Sequence, residues 1–147
     1  MHHNEKRELV ARLATFPFLA GCSKDDVEAL VDNGTVRTLP DGWAFVQEGT
    51  PADACYVLLS GTVRVYYGRE VVATMSDGDV IGEMAYLGGG GQRNATVSTH
   101  GKVTVLRIEY ADLTKLLAKR PALDAALRRA YAAHQGQHTT DDTAPTA

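Results

Sequence analysis

The sequence predicts a mostly β-sheet domain with helices at both ends, an α+β arrangement. Two observations support this fold class. Apolar residues recur at helical spacing near both ends of the chain, whereas they alternate with polar residues in the middle. Turn residues divide that middle part into about eight short strands, which favours a small antiparallel β-roll or jelly-roll barrel. We therefore expect N-terminal helices over 5–34, an eight-stranded β-roll over 35–109 and C-terminal helices over 110–135.

The N-terminal segment predicts two helices joined by an aromatic link. Apolar side chains at helical spacing predict the first helix over 5–14. The sequence Phe-Pro-Phe-Leu at 16–19 ends it, because proline disfavours helix at the preceding residue, and its aromatic rings are expected to plug the core. Ser23 and Asp26 have the spacing of a capping box for a second helix, which should stop at Asn33-Gly34.

The middle segment predicts strands separated by turns. Strands are expected over 36–39, 43–46, 55–59, 62–67, 71–75, 95–99 and 103–108. Ser60-Gly61 is expected to form a tight turn, and His100-Gly101 is expected to form another.

The C-terminal segment predicts two more helices and a tail. Helical periodicity returns at Tyr110, and a first helix should end at Arg120-Pro121. A second helix follows and carries Arg128 and Tyr131. The polar residues 136–147 are expected to be disordered, which leaves 1–135 as a single domain.

Composition and charge restrict the function. The net charge of −3 argues against nucleic acid or an anionic membrane as a partner, since either requires a basic surface. No signal-peptide core or transmembrane stretch is evident, and the two cysteines are far apart, so we expect reduced thiols in a cytoplasmic protein. A cupin-like metalloenzyme would need clustered His and Glu ligands, but the predicted strands almost lack histidine. We therefore expect neither a metal site nor an enzyme.

One stretch combines groups that suit a phosphate and a sugar. Residues 78–87 pass from a turn through Gly82-Glu83 into a possible helical turn, and four glycines then precede Arg93. Backbone N–H groups and an arginine fork both suit phosphate. Glu83 would repel phosphate, so it suits a hydroxyl pair such as a ribose edge, and the two together suggest a nucleoside monophosphate, especially a cyclic one. The same residues also fit a flexible surface loop with a solvated arginine.

This stretch resembles the phosphate-binding cassette of the cyclic nucleotide-binding domain family. The segments 82–87 and 93–97 fit the two halves of that cassette. The segments 49–53, 56–65 and 78–79 resemble the family's framework motifs in the same order, and the likeness extends from Leu9 to Tyr131.

The resemblance implies a set of ligand-binding residues. On the phosphate side these are Met84, Ala85, Arg93 and Asn94. On the ribose side they are Gly82 and Glu83. The last helix is implied to cover the base as a lid, with Arg128 or Tyr131 as contacts. Asn94 stands where the family usually has Ala, Ser or Thr, and the loop 88–91 has an unusual run of glycines.

The resemblance implies a regulatory module that binds cyclic AMP in preference to cyclic GMP. Its C-terminal helices would move on binding, and a protein effector or a second copy would detect the movement. No helix-turn-helix follows the last helix, so DNA binding is not expected. The alternative is a degenerate relative that acts as a ligand-free interaction or dimerisation domain, but the presence of both Glu83 and Arg93 argues against it.

Overall fold

The computed structural model describes residues 2–88 and 91–136, without the side chains of 84, 85 and 134–136. In chain order the elements are α1 His3–Leu13, a 3₁₀ turn Pro17–Leu19, α2 Lys24–Asp32, β1 Thr35–Leu39, β2 Ala44–Val46, β3 Ala54–Tyr67, β4 Glu70–Met75, β5 Val80–Ile81, α3 Glu83–Leu87, β6 Thr96–Glu109, α4 Tyr110–Lys119 and α5 Pro121–Gly136. The antiparallel sheet with flanking helices confirms the predicted fold class. The disorder predicted beyond Gly136 falls on residues outside those described.

The N-terminal helices form as the sequence predicts. Ser23 caps α2 by accepting a hydrogen bond from the Asp26 N–H, and the Asp26 carboxylate accepts one from the Ser23 N–H in return. The capping box is therefore confirmed. Of the two aromatic rings in the link between α1 and α2, Phe16 is buried in the core and Phe18 packs half-buried against it, so the expected plug is confirmed.

The sheet is organised around two long strands, β3 and β6. Strand β6 pairs with β1, β2 and β3, and β3 also pairs with β4 and β5, always antiparallel. Each of the two long strands has 14 residues. They form the extended pairing on which the rest of the roll is built.

The long strands correct the predicted strand count. The described residues form six strands rather than about eight. Strands β3 and β6 each join two of the predicted strands into one, and β5 was not among the predicted ranges. Ser60-Gly61 lies inside β3, where the pairing register shifts between Leu58 and Thr62. A Cβ on Gly61 would lie 2.8 Å from the Lys102 carbonyl, and its φ is +108°. The glycine therefore serves a bulge between close strands, and not a tight turn. His100-Gly101 is likewise within β6.

The apolar core has two parts, one on each face of β3. Tyr56 and Leu58 belong to the cluster within the roll, whereas Val57 and Leu59 belong to the cluster that the helices cover. Strand residues that alternate between faces are buried here on both sides, as in the centre of a sandwich. The helical modules therefore complete the core of the roll.

Three further findings concern the predicted chemistry of the chain. Cys22 and Cys55 are both free thiols, as the sequence predicted. None of the helices in the described part of the chain is long and apolar enough to cross a membrane. Within residues 2–88 and 91–136, no three His, Cys, Asp or Glu side chains are grouped so as to hold a metal ion.

Candidate ligand-binding site

The cassette begins where β5 leaves the sheet. Gly78 and Asp79 exchange main-chain hydrogen bonds with Leu58 of β3, which fixes the turn before β5. Strand β5 pairs with β3, and the chain then turns at Gly82, whose φ is +97°. The short helix α3 follows, so the predicted helical turn is confirmed.

Gly82 occupies a position with no room for a side chain. A Cβ there would lie 2.8 Å from the carbonyl oxygen of Ala54 and 2.8 Å from Nη1 of Arg93. The positive φ independently favours glycine. Gly82 thus allows the guanidinium of Arg93 to approach the first peptide of the cassette.

The segment before Arg93 is held by a short ladder to the loop after β2. The Ala52 N–H donates to the Gly91 carbonyl at 2.9 Å, and Pro51 and Gln92 form a bridge. The Arg93 N–H donates to the Thr50 carbonyl at 2.9 Å, and its own carbonyl accepts from the Gly49 N–H at 2.8 Å. This ladder explains why the motif at 49–53 accompanies the cassette in the sequence.

Arg93 is buried, with only 4% of its surface exposed. Its Nη2 donates to the Ala54 carbonyl at 2.7 Å and lies 3.6 Å from the Asp53 carboxylate. Its Nη1 donates to the Tyr110 hydroxyl at 3.4 Å. The interpretation of Arg93 as a solvated surface residue is therefore wrong: the fold directs it into the protein.

Glu83 is also fully buried and lies in the same small region. Burial raises the pKa of the Cys55 thiol, the negative charge of Glu83 raises it further, and the positive charge of Arg93 lowers it. Burial also raises the pKa of the Tyr110 hydroxyl, and both Arg93 and Glu83 act on it. The two charged side chains therefore both lie near Cys55 and Tyr110.

Tyr110 belongs to this site, although no motif in the sequence indicates it. Its hydroxyl donates to the Gly82 carbonyl at 2.8 Å, and Cζ of Arg93 lies 5.9 Å from the centre of its ring. Its main-chain N–H donates to the Asp53 carbonyl at 2.9 Å. From the sequence alone, Tyr110 was identified only as the residue at which helical periodicity returns, and not as a part of the site.

Asp53 is a second residue of the site that the sequence motifs do not single out. Its carboxylate lies between two arginines, 3.6 Å from Arg93 and 3.3 Å from Arg107. Arg107 also contacts the Glu109 carboxylate at 3.1 Å. Asp53 appeared in the sequence only as part of the motif at 49–53, which shows no ion pair by itself.

The remaining predicted ligand contacts are spread over α3 and α5. Met84 and Ala85 lie within α3, but their side chains are outside those described. Asn94 follows Arg93 and is exposed. Tyr131 is half-buried on α5, a helix that packs against α3 and the 3₁₀ turn. Arg128 is 65% exposed and pairs at 3.0 Å with Asp124 one turn earlier on α5. All of these ligand contacts stay predictions.

The fold and this site together define a β-roll domain with a buried Glu83 and a buried Arg93 at its cassette. Residues 36–120 match the family model described as the cyclic nucleotide-binding domain. The chain therefore belongs to the cyclic nucleotide-binding domain family.

Two relatives similar to this chain in sequence are much longer than it is. An uncharacterized NTE family protein of Mycobacterium tuberculosis is 32% identical over 121 residues, which cover 82% of this chain and 21% of that protein. The cAMP-dependent protein kinase regulatory subunit of Yarrowia lipolytica is 33% identical over 114 residues, covering 76% of this chain and 30% of that protein. The chain thus spans about a fifth to a third of their length.

Solved structures confirm the fold. The structure described as cAMP-bound PfPKA-R superposes with a TM-score of 0.79 and 20% identity, over 93% of this chain and 47% of that one. At this identity the likeness establishes the β-roll and its flanking helices.

Proposed function

We propose that this chain is a regulatory module that binds a cyclic mononucleotide at the cassette, with cyclic AMP preferred to cyclic GMP. The observation that carries the proposal is the convergence of buried Arg93 and buried Glu83 around Gly82. Arg93 supplies paired N–H donors for the phosphate, and Glu83 supplies acceptors for a sugar hydroxyl. Membership of the family and the cyclic AMP named for two of the matched proteins support the choice of ligand.

Binding at these residues requires a local rearrangement. The Arg93 donors already bond to the Ala54 carbonyl and the Tyr110 hydroxyl, and the Glu83 carboxylate is out of contact with solvent. Because both side chains are buried, a ligand that reaches them must displace part of the cover over them, and we expect Arg93 to give up one of these bonds as it does so. The ligand shifts the equilibrium toward an open arrangement by as much as its affinity for that arrangement exceeds its affinity for the closed one.

The rearrangement provides the proposed signal. Helix α5 packs against α3, so a shift of the cassette changes the packing of the C-terminal helices. We propose that a protein effector or a second copy of the chain detects this change. Cyclic nucleotide binding, and not catalysis, is the activity we propose.

One observation favours a second candidate function. Arg93 has partners within the protein, since its Nη2 donates to the Ala54 carbonyl and lies 3.6 Å from the Asp53 carboxylate. A ligand-free interaction or dimerisation domain would retain this arrangement. The two candidates differ in whether nucleotide binding occurs.

Calorimetric titration of ligand-stripped protein distinguishes them. We expect cyclic AMP to bind more tightly than cyclic GMP, and linear AMP to bind weakly. Arg93→Ala should weaken cyclic AMP binding by about ten- to a hundredfold, because it removes charged hydrogen bonds worth about 1.5–3 kcal/mol.

Arg69→Ala, at an exposed position in the turn between β3 and β4, is the matched control and should bind as the wild type. If folded wild-type protein binds no cyclic nucleotide at millimolar concentration, the sensor function is excluded and the interaction domain is favoured.

A further inference from the structure

The Tyr110 hydroxyl joins the cassette to the predicted phosphate-binding arginine. It donates its one hydrogen to the Gly82 carbonyl at 2.8 Å. Its oxygen is then left as an acceptor, and Arg93 Nη1 donates to it at 3.4 Å. The hydroxyl is therefore oriented by one partner and holds the other.

Tyr110 also occupies a particular place in the chain. It is the first residue of α4, directly after the last residue of β6. Its main-chain N–H is bonded to the Asp53 carbonyl, and the Asp53 carboxylate lies beside Arg93. One residue thus contacts the cassette, the arginine and the loop that carries Asp53, at the point where the C-terminal helices begin.

We propose that Tyr110 is a positioning residue of the site: its hydroxyl holds the Arg93 guanidinium against the Gly82 peptide, and it carries a displacement of Arg93 to the start of α4. This inference rests on the proposed function for its ligand, but the hold on Arg93 is a property of the ligand-free protein.

The ring and the hydroxyl of Tyr110 have separable roles. The ring packs edge-on against Tyr86, with centres 4.9 Å apart, and this contact is structural. Tyr110→Phe keeps the ring and removes only the hydroxyl. A control is Tyr56→Phe, because Tyr56 is also buried and lies opposite a different arginine, Arg107, in the pairing of β3 with β6.

The first readout is made on ligand-free protein by NMR of the arginine side-chain N–H groups. In the wild type and in Tyr56→Phe, Arg93 should give resolved, slowly exchanging Nη signals, because its guanidinium is held. In Tyr110→Phe these signals should broaden or merge. Unchanged Arg93 signals in Tyr110→Phe would overturn the proposal, whether or not the protein binds a nucleotide.

The second readout is cyclic AMP binding with hydrogen exchange of α4. Tyr110→Phe should weaken binding about three- to tenfold, the equivalent of one hydrogen bond, and Tyr56→Phe less than about twofold. In an Arg93→Ala background, Tyr110→Phe should have no further effect, because the two residues act through one contact.

Ligand should change exchange in the first turn of α4 in the wild type but not in Tyr110→Phe. Equal affinities, additive effects or an unchanged exchange response would each overturn the proposal. If the wild type binds no cyclic AMP, the proposed function fails, and the NMR comparison alone decides the role of Tyr110.

Discussion

Replacing Gly82 with alanine tests the geometry on which the site depends. The new Cβ would lie 2.8 Å from the Ala54 carbonyl, 2.8 Å from Arg93 Nη1 and 3.3 Å from the Cys55 Cα. The arginine tip can move away, but Ala54 and Cys55 belong to β3 and are paired with β6. The clash with this backbone therefore has to be relieved by shifting the cassette.

The expected loss of stability has two parts. A non-glycine residue at a positive φ costs about 1–2 kcal/mol, and overpacking adds about 1–3 kcal/mol. The free energy of unfolding should therefore fall by about 2–5 kcal/mol. For a chain of this size that lowers Tm by roughly 4–20 °C.

The assay is urea unfolding followed by circular dichroism. Gly68→Ala is the matched control, since Gly68 has a φ of +61° but open space around its Cβ position, so it carries the backbone cost without the clash. The difference between the two variants isolates the clash. If Gly82→Ala is no more destabilising than Gly68→Ala, the close approach of cassette, β3 and Arg93 is refuted.

Two further predictions concern titratable groups. Hydrogen bonds from Ser23 lower the pKa of Asp26 in the folded protein. The stability that the Asp26 carboxylate contributes is therefore present above its unfolded pKa of about 3.9 and is lost as the pH falls through its folded pKa. The free energies of unfolding of wild type and Asp26→Asn, measured by urea titration, should therefore converge in acid. A difference between them that persists unchanged in acid would contradict this. Burial raises the pKa of the Cys55 thiol, and the residue is only 2% exposed. A thiol reagent should therefore modify Cys55 only as fast as the protein opens. Labelling at the rate of a free thiol would show that the core around Glu83 is not closed.

Local patterns predicted the fold class well because each depends on neighbouring residues. The capping box of Ser23 and Asp26 lies within four consecutive residues. The change from helical to alternating periodicity marks where β1 begins, and the change back marks where β6 ends. The strand count was less predictable. Glycine at 61 signals a positive φ, but only the distance to Lys102 on the paired strand distinguishes a bulge from a turn.

The site was predictable only in part for the same reason. The residues around Gly82 and Arg93 could be selected from their motif, which is local. The partners of Arg93 could not, because Ala54 is 39 positions away and Tyr110 is 17 positions away along the chain. The sequence is also compatible with Arg93 as a solvated surface residue. The burial of Arg93 depends on the packing of β3 against the cassette, which the sequence does not show.

The decisive experiment is a crystal structure of the chain grown with cyclic AMP. We expect the phosphate on Arg93, a ribose hydroxyl on Glu83, and Arg93 moved from its bond with the Ala54 carbonyl or the Tyr110 hydroxyl. A nucleotide bound elsewhere, or one bound while Glu83 stays buried and makes no contact with it, would refute binding at Arg93 and Glu83.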